Sequence, residues 1–282
     1  MYGVIQMNKH MKRKLFCEIS PLTYKISRFK NITVRNINNK LNNNLAKTYS
    51  KELLPYVIYD HKSLIRRTLG EVDPQLQENK ATNLSIAAPK INNILIKPNE
   101  EFSFWNCVGS CTKEKGYLEG LYVYSNGMGQ GIGGGLCQMS NLIHWMVLHT
   151  PLVITELHHH DQIDLFPDHG RVVPFGTGTS VAYNYVDYRF KNNTNHTYQL
   201  VLYTTDKYLC GELRCDSMLD VKYHIYTEDE HFKKENDGIY RYGKVMRKCI
   251  DKGTGLVKMI ECIKENHAKI RYDEKFIKDK LR

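Results

Sequence analysis

Residues 131–141 read Gly-Ile-Gly-Gly-Gly-Leu-Cys-Gln-Met-Ser-Asn and run directly into Leu-Ile-His-Trp-Met-Val-Leu-His, so a glycine loop delivers Cys137 to the expected first turn of a helix. The unpaired N–H groups and positive dipole end of a helix start favour a thiolate over a thiol. Cys137 is therefore a candidate nucleophile. Gly133, Gly134 and Gly135 would let backbone crowd against a substrate. Gln138 shares the first turn, where it could steady an oxyanion. A base would come from Leu152-Val-Ile-Thr-Glu-Leu-His-His-His-Asp161. At a two-residue period Glu156, His158 and His160 share one side and Leu157 and His159 the other. His158 or His160 could then hold Cys137 as a thiolate–imidazolium pair. The competing reading is a small buried cysteine beside a polar strand end, since free cysteine is commonly buried.

The element carrying Cys137 is expected to be a helix, because Leu136, Met139, Ile143 and Met146 recur every three or four residues and Thr150-Pro151 supplies a stop. Cys137, Asn141 and His144 form the opposite stripe, expected to face a site. His144 lies about 10 Å along the axis from Cys137, too far to serve as its base. Downstream, 166–179 reads as a long loop lining the site. Val181–Phe190 and Tyr198–Thr204 read as the strands of a hairpin around an Asn-rich turn. Asp187, on the first of these, could orient an imidazole or simply face solvent.

Zinc is not expected. His158, His160 and Cys137 are suitable ligand types. However, no Cys-x-x-Cys pair occurs, and Cys107 and Cys111 have no second pair at ligand spacing. No other cofactor is implied.

The 282 residues are 41% hydrophobic, enough for a sizeable core. The eight cysteines are dispersed, as in a reducing compartment. No apolar run is long enough to span a bilayer. The basic cluster at 9–14 leads into no apolar signal region, so a cytoplasmic protein is expected. Residues 1–70 hold 14 basic and 3 acidic groups, a net of +11, although the whole chain is +10. This front could meet an anionic membrane at the inner face or be a solvated surface. No signature of nucleic-acid recognition accompanies it.

The expected architecture is α+β: a helical basic segment over 1–85, a core over 86–218 in which the Cys137 helix packs on a mixed, largely antiparallel sheet, and an extension of short strands over 219–282.

Several stretches, namely Leu15-Phe-Cys-Glu-Ile-Ser-Pro-Leu-Thr-Tyr-Lys-Ile26, Phe102-Ser-Phe-Trp105, Lys115-Gly-Tyr-Leu-Glu-Gly120, the 131–143 motif and Asp164-Leu-Phe-Pro-Asp168, resemble the VanW family. The likeness runs over most of the chain. It implies an association with vancomycin resistance and the cell envelope, where family members often carry a membrane anchor, peptidoglycan-binding or G5 modules. By position, the family's cysteine and glutamine fall on Cys137 and Gln138, and its histidine falls best on His160.

Three readings follow. One is acyl transfer or hydrolysis on a peptide or peptidoglycan precursor, with Cys137 as nucleophile, His160 as base, Gln138 at the oxyanion, Asp187 behind the imidazole, and Gly133, Gly134, Gly135, Asn141 and His158 around the substrate. Another is non-catalytic capture of a cell-wall ligand, with Trp105, Tyr117, Tyr122 and Phe175 as stacking surfaces. The last is a scaffold for envelope enzymes, with Cys137 buried.

Overall fold

A computed structural model describes residues 15–67, 73–124, 127–159, 163–165, 167–168 and 172–277. Along the chain come α1 (Pro21–Leu41), β1 (Thr48–Tyr49), β2 (Tyr56–Leu64), α2 (Gln75–Ile91), β3 (Ile94–Ile96), β4 (Glu101–Ser103) and α3 (Phe104–Val108). Next are β5 (Glu119–Tyr124), β6 (Gly127–Ile132), α4 (Cys137–Val147), β7 (Val153–Glu156), β8 (Ile163–Asp164) and β9 (Arg189–Lys191). The chain continues through β10 (Tyr198–Thr204), β11 (Tyr208–Cys215), β12 (Val221–Glu235), β13 (Gly238–Asp251) and β14 (Val257–Ile270).

The fold is α+β. A five-stranded antiparallel sheet in the order β1-β3-β10-β11-β2 forms its centre. Strict alternation on β11 turns Leu209, Gly211, Leu213 and Cys215 inward. The missing side chain at Gly211 lets α4 sit close: a Cβ there would lie 2.5 Å from Leu142 and 2.8 Å from Met146. The last turn of α4 also meets a second sheet, β12-β13-β14-β8, through Trp145 and Leu148 packed with Ile225 and Val245. The helix carrying Cys137 is thus packed against two sheets.

Several expectations change. The basic front is not wholly helical, because β2 pairs with β11 along nearly its whole length. The 85/86 boundary falls inside α2, and β1 and β2 share the central sheet with β3, β10 and β11. The expected 181–204 hairpin does not form. Buried Asn192 closes its own turn by accepting from the Thr194 N–H and hydroxyl, and its amide donates to Ile96 and His196 carbonyls. This sends β9 into a separate sheet between β4 and β7, while β10 pairs with β11. Residues after 219 form long strands, of 15, 14 and 14 residues.

Candidate functional site

The Cys137 element is assembled from the glycine turn upward. Gly133 and Gly135 have φ of +77° and +91°, which a side chain would strain. The space beside all three glycines is occupied by the protein itself. A Cβ on Gly134 would lie 2.1 Å from the Gly120 carbonyl carbon, one on Gly133 2.5 Å from Cys111, and one on Gly135 2.4 Å from the Lys80 stem. Asn83, fully buried on α2, locks the turn: its amide donates to Gly134 O and Leu118 O at 3.0 Å, and its carbonyl accepts from Leu118 N at 2.8 Å. The close approach that the glycines permit is therefore made to the chain's own backbone and side chains.

The turn also takes up three donors of the helix start. Gln138 N donates to Gly135 O, and Met139 N and Ser140 N both donate to Leu136 O. Cys137 is half-buried against the central core. Burial pushes its thiol up, against the opposing effect of the Val181 N–H directed at it. The thiolate expected from a helix start is not favoured here, because desolvation exceeds the help of the remaining donors.

The neighbouring polar groups are engaged as well. The Gln138 amide donates to Ser63 Oγ and Leu64 O, both at 2.9 Å, pinning α4 to β2. Asn141 Oδ1 accepts from Thr179 N at 2.6 Å and Thr179 Oγ1 at 2.8 Å, and Ser140 Oγ lies 2.6 Å from the same hydroxyl. His144 is not on an open face. It is fully buried, with Nδ1 3.2 Å from the Tyr188 hydroxyl, and burial pushes its pKa down to about 3. Asp187 accepts from Ser103 Oγ (2.6 Å), Arg189 Nε (2.8 Å), Tyr188 N (2.9 Å) and Trp105 N (3.0 Å). None of these is an imidazole. Desolvation lifts its carboxyl, opposed by Ser103 and Arg189.

The histidine run follows β7. His158 is exposed, with Nε2 3.1 Å from Glu156, a carboxylate that also takes both Arg35 amino groups and the Asp187 N–H. Ser180 N donates to His158 O at 2.7 Å, and His159 Nδ1 lies 2.5 Å from Gly178 O. Residues 178–181 therefore connect His158 and His159 to the surroundings of the Cys137 helix. His160 lies outside the described residues. Of the aromatic residues considered for stacking, Trp105 and Tyr117 are core, Tyr122 donates its hydroxyl to Ile132 O, and Phe175 lies under the Arg241 guanidinium.

Sequence reasoning missed Lys80 and Asn83. Burial, with Arg67 and Arg66 nearby, pushes the Lys80 pKa down to about 8, and its ammonium donates to Gln77. The recurrence of Gln77, Lys80, Asn83, Leu84, Ala87 and Ile91 at helical spacing is the signal that marks this buried face. Among the described residues, His196, Cys215 and Asp216 alone form a group of metal-ligand types, with ligand atoms within 4.8 Å of one another. Asp216 already serves both others, at 3.4 Å from His196 Nδ1 and 3.7 Å from Cys215 Sγ, and accepts the Thr197 N–H.

Comparison with known proteins places this arrangement. The family model described as "VanW like protein" matches residues 79–214, which contain the glycine turn, α4, the histidine run and Asp187. The chain is 34% identical over 227 residues to "Vancomycin B-type resistance protein VanW" of Enterococcus faecalis, covering 80% of this chain and 82% of that protein. It is 29% identical over 151 residues to "Uncharacterized protein YoaR" of Bacillus subtilis, covering 54% of this chain and 44% of that one. No solved structure matches the chain. With the motif, the helix it opens and four-fifths of the sequence aligned, the chain belongs to the VanW family.

Proposed function

We propose that this protein is a non-catalytic accessory component of glycopeptide resistance, in which the Cys137 element is a structural keystone. The link to resistance comes from the name of the Enterococcus faecalis relative. One observation carries the non-catalytic reading. Around Cys137, the Gln138 amide, the Asn141 carbonyl, the N–H groups of Gln138, Met139 and Ser140 and the space beside three glycines are taken up within the protein. A nucleophilic site needs donors and space kept free for the reacting group.

A second reading retains Cys137 as the nucleophile of acyl transfer or hydrolysis on a peptide or peptidoglycan precursor. Its support is proximity: the backbone of His158 and the ring of His159 bond to residues 178–180, next to Val181, whose N–H opposes the upward push of burial on the Cys137 thiol. The two readings separate in a strain whose own copy is replaced by wild type, by Cys137→Ala or by no gene. The accessory reading predicts that loss of the gene lowers the vancomycin concentration tolerated and that a stably folded Cys137→Ala protein restores it fully. If Cys137→Ala melts like wild type yet behaves like the deletion, the nucleophile reading is correct. An unchanged tolerance in the deletion would end the link to resistance.

A further inference from the structure

The orientation of α1 is the reverse of an ordinary surface helix. It docks through polar groups: Arg35 makes a two-pronged ion pair with Glu156 (2.6 and 3.0 Å), Asn39 accepts from Arg189 (2.6 Å), and Asn36 accepts from Asn184 (2.7 Å). The apolar residues point away. At about 100° per residue, Leu22, Ile26, Phe29 and Ile37 fall within roughly 80° of arc; Arg35 and Asn39 lie more than about 100° round from its centre and Asn36 about 60°, at its flank. Leu22 is 67% exposed and Phe29 72%. Leu15, Phe16 and Ile19, just before the helix, are exposed too. Leaving such a continuous stripe in water is unfavourable, so it calls for an occupant.

Charge identifies the occupant. α1 carries Lys25, Arg28, Lys30, Arg35 and Lys40 and no acidic residue. Lys25 and Lys30 flank the stripe and Lys40 lies along it, where long stems can reach headgroups while the apolar side chains enter the acyl boundary. We infer that α1 is an interfacial helix that seats the protein on an anionic lipid surface, with Leu22, Ile26 and Phe29 as the inserted residues. The attachment is peripheral, since no helix among the described residues is long and apolar enough to cross a membrane. It stands independently of whether Cys137 is catalytic.

The full chain is sedimented with vesicles of phosphatidylglycerol and phosphatidylcholine, and with vesicles of phosphatidylcholine alone. The inference predicts binding to the anionic vesicles that weakens as salt rises, and at least tenfold weaker binding to neutral ones. Leu22→Ser, Ile26→Ser and Phe29→Ser combined should reduce anionic binding more than tenfold with the melting temperature kept, because these side chains leave the docking contacts intact. Lys25→Gln with Lys30→Gln should weaken it to a smaller extent. Three results would overturn the inference: no wild-type binding to anionic vesicles, equal binding by the serine variant, or a lipid-free dimer that the serine variant abolishes. The last would assign the stripe to a second copy of the chain.

Discussion

Cys137 meets two opposing influences, a helix start that favours its thiolate and a packed, desolvated setting that favours its thiol, and the second prevails. The same logic governs His144 on the next turns of the helix, which is buried as the neutral imidazole with its pKa pushed down to about 3. As pH falls below the ordinary value near 6.5, the unfolded chain takes up this proton before the folded one does. The histidine's contribution to stability is therefore present above pH 6.5 and is lost progressively toward pH 3. Urea unfolding at pH 7, 5.5 and 4.5 should give wild type a steeper fall than His144→Leu, the gap widening by up to about 1.4 kcal/mol per pH unit. Parallel curves would contradict this. His149, pushed down to about 4 by burial, retains its own slope in the variant.

The glycine turn and α4 act as one element. Gly134 is pressed onto Gly120 backbone that cannot yield, whereas Gly178, in the loop beside α4, faces open space. Gly134→Ala should accordingly cost several kcal/mol, or prevent folding, while Gly178→Ala stays within about 1 kcal/mol of wild type. Thermal melts of the two variants compare them directly; equal melting temperatures would refute the packing role. The position of α4 was legible in the sequence because its apolar spacing is local, as was β10 with its β-branched and aromatic run. What escaped depends on distant partners. Nothing near Gln138 announces that its amide will bond Ser63 and Leu64, and nothing near Asp187 announces Ser103. The 181–204 stretch had hairpin spacing, yet the side chain of Asn192 bonds to Ile96 and redirects the chain. Gln138 and Asp187, both site candidates by sequence, thus also tie distant elements together, which tertiary geometry sets and local pattern does not.

For the whole molecule, the central sheet fixes the start of α4, the long-stranded C-terminal sheet packs on its end, and α1 is bound to Glu156 and Arg189 at the edge of the same region. The basic excess of the first 70 residues was legible from composition, but the outward turn of the α1 apolar stripe required the docking contacts. The result is a packed body in which the Cys137 turn is bound to its own surroundings, with the apolar stripe of α1 facing outward. The most direct measurement is the rate of iodoacetamide alkylation at Cys137 in the folded protein from pH 6 to 9, read by peptide mass spectrometry with the other cysteines as internal references. The account predicts slow modification across the range, becoming fast only on unfolding, as burial of a protonated thiol requires. Rapid modification persisting well below about pH 8.5 would reveal an activated thiolate and contradict it.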